Sequence, residues 1–80
     1  MKFSQTMLAA LDFLARQEKA AARNPGAYSP FVWPGFRGFR VATAKALHAR
    51  GLVRRRRHPL GNHEEFAINE RGRMLLASFQ

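Results

Sequence analysis

The chain has 80 residues, enough for one domain with one small hydrophobic core. It contains no cysteine, which excludes disulfides and thiolate metal sites. Fourteen lysines and arginines against five acidic residues give a formal net charge of +9. This balance favours a polyanionic partner such as nucleic acid, although an acidic protein surface would satisfy the same charge.

A membrane protein is not predicted. No apolar run approaches the roughly 18 residues that a transmembrane helix needs. Charged side chains also interrupt the N-terminal apolar stretch, which argues against a secretory signal peptide. We therefore expect a cytoplasmic protein.

The first predicted element is an amphipathic helix over residues 5–22. Ser4 is placed to cap its start, because a serine oxygen can accept a hydrogen bond from the first turn. The apolar stripe that defines this helix consists of Phe3, Met7, Leu11 and Leu14. The sequence Asn24-Pro25-Gly26 should end it, because proline cannot continue a helix.

The next segment, residues 24–38, combines three prolines and three glycines with several aromatic side chains. This composition predicts a compact loop packed on the core, with one short helical turn near residues 29–33. We expect Trp33 to be buried there, because small domains recruit their aromatics to the core. The alternative is an exposed platform that stacks bases or docks a protein partner. The residues of that platform would be Tyr28, Phe31, Trp33 and Phe36.

A second helix is predicted over about residues 39–50, stopped by Gly51. Its core face would carry Phe39, Thr43, Ala46 and Leu47, and its outer face Val41, Ala42, Lys45 and Ala49. A small-residue outer face with basic groups at the helix start can lie close in the major groove of DNA. The candidates for contacts with bases or adjacent phosphates are Arg37, Arg40 and Lys45. The alternative is a plain amphipathic core helix.

A basic β-hairpin follows, with a strand over residues 52–57 and a return over residues 64–68. Four consecutive arginines occupy the first strand: Arg54, Arg55, Arg56 and Arg57. They are predicted to grip flanking phosphate or the minor groove. Protection of an exposed sheet edge is the alternative. On the return strand Phe66 and Ile68 should alternate inward, and the preceding glutamates can pair with some of the arginines.

The last predicted helix covers residues 70–79, with Asn69 as its cap. An enzymatic function is not predicted, since the chain has no glycine-rich phosphate loop, nucleophile elbow or carboxylate cluster. The histidines are scattered in sequence, and His58 and His63 lie on the predicted hairpin tip. Exposed tip histidines are usually solvated, so we predict no metal site and no cofactor.

Two motifs in the second half resemble winged helix-turn-helix DNA-binding domains of the MarR-like and PadR-like kind. Gly51-Leu52-Val53 ends the second helix, and Phe66-Ala67-Ile68-Asn69-Glu70-Arg71-Gly72 opens the last. In the family a recognition helix ends in Gly-Leu-Val, a basic wing follows, and an aromatic-x-Leu-Thr-x-x-Gly segment comes next. Here Asn69 replaces the capping threonine. The resemblance covers about residues 39–77.

The resemblance implies an α+β winged-helix fold, with residues 1–80 as one domain of about three helices and a two-stranded basic wing. It implies a bacterial or phage protein that binds double-stranded DNA and regulates transcription. A homodimer is left open by the size of the chain, because a small domain can gain stability from a second copy. The chain departs from the family at residues 24–38, where a regular helix normally precedes the recognition helix. Either that helix is reduced to a turn, or the scaffold serves another purpose.

Three functions remain open from the sequence. The first is a DNA-binding regulator that uses the second helix and the arginine-rich wing. The second is a winged-helix protein-interaction module, such as a phage-encoded inhibitor of a host nucleoprotein complex. The third is RNA or single-strand binding through the aromatic loop.

Overall fold

The computed structural model describes residues 4–79. Its elements are α1 (Gln5–Arg23), a 3-10 turn (Phe36–Gly38), α2 (Val41–Ala49), β1 (Val53–Arg57), β2 (Glu64–Ile68) and α3 (Glu70–Ser78). Three α-helices and a two-stranded antiparallel hairpin make an α+β arrangement, as predicted, with a winged-helix-like layout. None of the helices within the described residues is long and apolar enough to cross a membrane.

Helix α1 forms as its sequence pattern predicts. The Ser4 hydroxyl oxygen accepts a hydrogen bond from the Met7 amide at 3.1 Å, and Asn24 is the residue that follows the last turn. Met7, Leu11 and Leu14 are buried along one stripe. Phe3, the first member of the predicted stripe, lies outside the described residues.

The predicted helical turn over residues 29–33 is wrong, because the turn lies at Phe36–Gly38 instead. A proline follows both the first and the last residue of the predicted range, and a residue before proline is pushed towards extended geometry. The segment is extended instead, and Val32 pairs with Phe66 of β2 through two backbone hydrogen bonds of 2.8 Å each. This bridge places β2 between β1 and the Val32 segment.

The hairpin has the predicted strands, apart from Leu52, which precedes β1. The register runs from Val53 opposite Ile68 to Arg57 opposite Glu64. Helix α1 packs on β2, and α2 packs on β1. The apolar face of the sheet therefore lies against the helices and closes the core.

Strand β2 is buried on both faces, although only one buried face was predicted. Phe66 and Ile68 point into the core as expected, but Glu65 and Ala67 are buried as well. The bridge to the Val32 segment supplies the reason, since it brings the Phe31 ring and arginine side chains over the second face.

Helix α2 begins at Val41, two residues later than predicted. Gly38 has a φ of 82°, and Arg40 is an extended N-cap residue, so Phe39 stays outside the helix. The Phe39 ring is nevertheless buried, and it meets the Phe66 ring edge-on at 6.2 Å between centroids.

The start of α3 is tied to the end of α2 through Asn69. Its Oδ1 accepts a hydrogen bond from the Gly72 amide at 2.8 Å, as a helix cap should. Its Nδ2 donates to the Gly51 carbonyl at 2.8 Å. One side chain thus fixes the position of the wing between the two helices that flank it.

Candidate nucleic-acid interface

The four wing arginines divide between the two faces of the hairpin, because side chains alternate along a strand. The guanidinium carbons of Arg54 and Arg56 lie 5.1 Å and 3.9 Å from the centroid of the Phe31 ring. Both therefore cover the sheet face that points away from α2. Arg56 Nε also lies 3.1 Å from Oε1 of the buried Glu65, so its charge is largely matched.

Arg55 and Arg57 occupy the other face, on the same side as α2. Arg55 is opposite Phe66, whose ring lies 6.2 Å from the His48 ring of α2. Arg55 Nη1 is 3.9 Å from a Glu64 carboxylate oxygen, and both side chains are about half exposed, so that pairing is weak. Arg57 makes no ion pair within residues 4–79.

The outer face of α2 is exposed as predicted. Its exposed residues are Val41, Ala42, Lys45, His48 and Ala49. Leu47 is fully buried, so the predicted orientation of the helix is confirmed. Ala44, which the sequence does not assign to the core, is also fully buried. We call the outer face of α2 together with Arg55 and Arg57 the basic face.

The turn that precedes α2 contains a strained residue. Among the described residues other than glycine, it is the only one with a left-handed backbone conformation. Arg37 has a φ of 51°, between Gly35 at 102° and Gly38 at 82°. Such a conformation costs a residue with a side chain about 1–2 kcal/mol relative to glycine. The Arg37 guanidinium lies 5.5 Å from the centroid of the Phe36 ring and is exposed. The glycine spacing was the only sequence signal for this turn.

The charge of the chain is unevenly distributed. No acidic residue occurs between Glu18 and Glu64, a stretch that includes α2 and all four wing arginines. Four of the five acidic residues each pair with an arginine: Asp12 with Arg16, Glu18 with Arg73, Glu64 with Arg55 and Glu65 with Arg56. Within the described residues, the positive charge on the basic face is consequently opposed only by the half-exposed Glu64.

Trp33 is about half exposed (47 %), which contradicts the expectation that it is buried. Val32 points into the core, and because neighbours alternate in an extended segment, Phe31 and Trp33 point to the opposite side. The Trp33 ring leans on Phe36 at 4.8 Å between centroids. With the half-exposed Tyr28, these rings line a cleft of about 340 Å³ on the sheet face away from α2.

Comparisons with known proteins assign neither a family nor a function to this chain. No protein-family model matches the chain, and neither a curated protein nor a solved structure is significantly similar to it.

Proposed function

We propose that this protein is a small double-stranded-DNA-binding regulator that inserts α2 into the major groove and holds the flanking backbone with its wing. The observation that carries the proposal is the common orientation of the basic face. Arg55 and Arg57 project on the α2 side of the sheet, the outer surface of α2 is exposed, and no acidic residue lies on that helix. A duplex could contact both at once.

The composition of α2 supports close approach to a groove. Ala42 and Ala49 on its outer surface are small, so the helix axis can lie near the base edges. Lys45 projects between them, and Arg40 stands at the N-terminal end, where the amide groups also favour phosphate. Arg37 is exposed on the preceding turn and adds a further positive charge close to α2 along the chain.

The four wing arginines would not contribute equally. Arg55 and Arg57 would contact phosphate oxygens, whose charge-assisted hydrogen bonds suit a guanidinium. Arg54 and Arg56 lie over Phe31 and would mainly hold the shape of the hairpin. We therefore restrict the sequence-based prediction that all four grip DNA to the two on the α2 side.

A titration of labelled random duplex at about 50 mM and about 200 mM salt tests the proposal directly. The affinity should fall steeply with salt, by about 0.9 in the log–log slope for each phosphate contacted. Lys45→Glu should weaken binding strongly. Lys19→Glu, an equal charge change at an exposed position on α1, is the matched control and should weaken it less. Equal losses in the two variants would contradict the proposal.

A protein-interaction module is the second candidate, and the exposure of Trp33 and Tyr28 favours it. A half-exposed tryptophan beside an aromatic cleft is typical of a partner-binding surface. If this is the function, duplex binding should be weak and indifferent to Lys45→Glu. If single-stranded nucleic acid is the partner instead, a short oligonucleotide should bind more tightly than duplex and lose affinity with Trp33→Ala.

A further inference from the structure

The hairpin tip brings together two histidines that the sequence left apart. The rings of His58 and His63 stack with centroids 4.7 Å apart and an angle of 28° between their planes. The His58 amide donates to the His63 carbonyl at 3.0 Å, which closes the tip. One ring nitrogen from each histidine and one carboxylate oxygen of the buried Glu65 lie within 4.8 Å of one another.

From this cluster we infer a binding site for a divalent transition-metal ion such as Zn²⁺ at the tip of the wing, with His58, His63 and Glu65 as ligands. Two imidazoles and one carboxylate form a donor set that suits zinc and its neighbours in the first transition series. Calcium and magnesium prefer a larger number of oxygen ligands. A three-ligand set leaves one coordination position for water.

Gly61 leaves the space in which the imidazoles converge. A Cβ atom built on Gly61 would lie 3.0 Å from His63 Nδ1 and 3.7 Å from His58 Nδ1. Both nitrogens therefore face the same small volume beside a residue that has no side chain. His58 Nδ1 accepts a hydrogen bond from the Leu60 amide at 3.1 Å, and a bound cation takes the place of that donor. The Leu60 amide then turns to water, since Leu60 is almost fully exposed.

The ion pair with Arg56 fixes the orientation of the Glu65 carboxylate. Arg56 Nε binds Oε1 of Glu65, which leaves Oε2 as a donor oxygen in a side chain that cannot rotate freely. The basic surroundings oppose any cation, so selectivity has to come from coordination by the imidazoles rather than from net charge. Ligands of a tetrahedral zinc ion lie about 3.3 Å apart, since each bond is about 2.0 Å long. The donor atoms here lie up to 4.8 Å apart, so the exposed His63 ring has to move by up to about 1.5 Å to close the site.

Trp33, the only tryptophan, lies close enough to the site for its fluorescence to report metal binding. Its ring meets the His63 ring edge-on with centroids 6.2 Å apart. A paramagnetic ion such as Ni²⁺ bound at the tip will quench the fluorescence of Trp33 at this distance. A diamagnetic competitor such as Zn²⁺ will restore it by displacement.

The test is a titration of the untagged protein with NiCl₂, followed by back-titration with ZnCl₂. We expect saturable quenching at one ion per chain, reversed by zinc. His63→Ala should weaken the affinity by at least about tenfold. His48→Ala, which removes a histidine from α2 rather than from the tip, should leave it unchanged. Non-saturable quenching, or equal affinities in the two histidine variants, would overturn the site.

Two further variants test the site without removing an imidazole. Glu65→Gln should weaken nickel binding, and an unchanged affinity would overturn the assignment of the carboxylate as a ligand. Gly61→Ala places a methyl group against both imidazoles and should also weaken binding. Circular dichroism of each variant distinguishes a lost site from a lost fold. If His63→Ala is unfolded, Gly61→Ala decides the matter, and unchanged affinity in it contradicts the proposed convergence.

Discussion

Arg56 lies directly opposite Glu65 in the hairpin, and its Nε is 3.1 Å from Oε1 of that buried carboxylate. Replacing Arg56 with alanine leaves the carboxylate buried and unpaired. We expect the free energy of unfolding to fall by about 1–3 kcal/mol, less than for a fully buried pair because Arg56 itself is partly exposed. Urea denaturation measures this change.

The matched control for that prediction is Arg54→Ala, which removes a neighbouring arginine that has no ion pair within the described residues. It should be much less destabilising. The double variant Arg56→Ala/Glu65→Gln should recover most of the stability, because the buried group is then neutral. A double variant as unstable as Arg56→Ala alone would mean that lost packing on Phe31, rather than the unpaired charge, causes the effect.

Gly72 is required by the close packing of α3 on the turn before β1. A Cβ at this position would collide with the carbonyl oxygen of Leu52 and lie 2.8 Å from Cγ1 of Ile68. Gly72→Ala should therefore destabilise the fold by about 2 kcal/mol in thermal or urea unfolding. Gly26→Ala is the control, since nothing lies within 4 Å of a Cβ there. Equal stability of the two variants would show that α3 can shift away from the turn.

The sequence predicts the regular elements well because their signals are local. The apolar stripe of α1, the serine cap and the alternating strands depend on neighbours in the chain. The bridge between Val32 and Phe66 joins segments far apart in sequence, and no local sequence pattern predicts it. The exposure of Trp33, which the sequence offers only as the alternative, and the second buried face of β2, which it does not predict, both follow from that bridge.

The candidate site was predictable only in part for the same reason. The orientation of α2 follows from the spacing of its apolar residues and was predicted. Alternation along β1 implies that the arginines divide into two pairs, but only the position of Phe31 reveals which pair is covered. The association of His58 with His63 depends on the closure of the tip, whereas their sequence separation suggested two isolated side chains.

Substitutions at Leu47 and Lys45 distinguish the contribution of α2 to folding from its contribution to DNA binding. Leu47 is fully buried, so Leu47→Ala should lower the free energy of unfolding by about 2–5 kcal/mol. Lys45 is exposed, so Lys45→Glu should leave stability nearly unchanged while it weakens duplex binding. Thermal unfolding and a duplex titration on both variants check the pair. The reverse pattern would mean that α2 faces the opposite way.

Arg37 offers a test of strain held at the proposed site. Arg37→Gly removes the steric cost of the left-handed conformation but adds flexibility to the unfolded chain, so stability should be unchanged or rise by up to about 1 kcal/mol. Duplex affinity should fall, because the exposed guanidinium is lost. A variant that loses stability would show that the contact of Arg37 with the Phe36 ring outweighs the strain.

The comparison of Arg57→Ala with Arg54→Ala tests the central claim most directly. Both residues are exposed arginines of β1, but Arg57 projects on the α2 side and Arg54 lies over Phe31 on the other. In duplex titrations across a range of salt, Arg57→Ala should weaken binding and lower the log–log slope by about 0.9, the value for one phosphate contact. Arg54→Ala should leave the slope nearly unchanged. Equal effects, or a larger effect of Arg54→Ala, would contradict the assignment of the basic face as the DNA-binding surface.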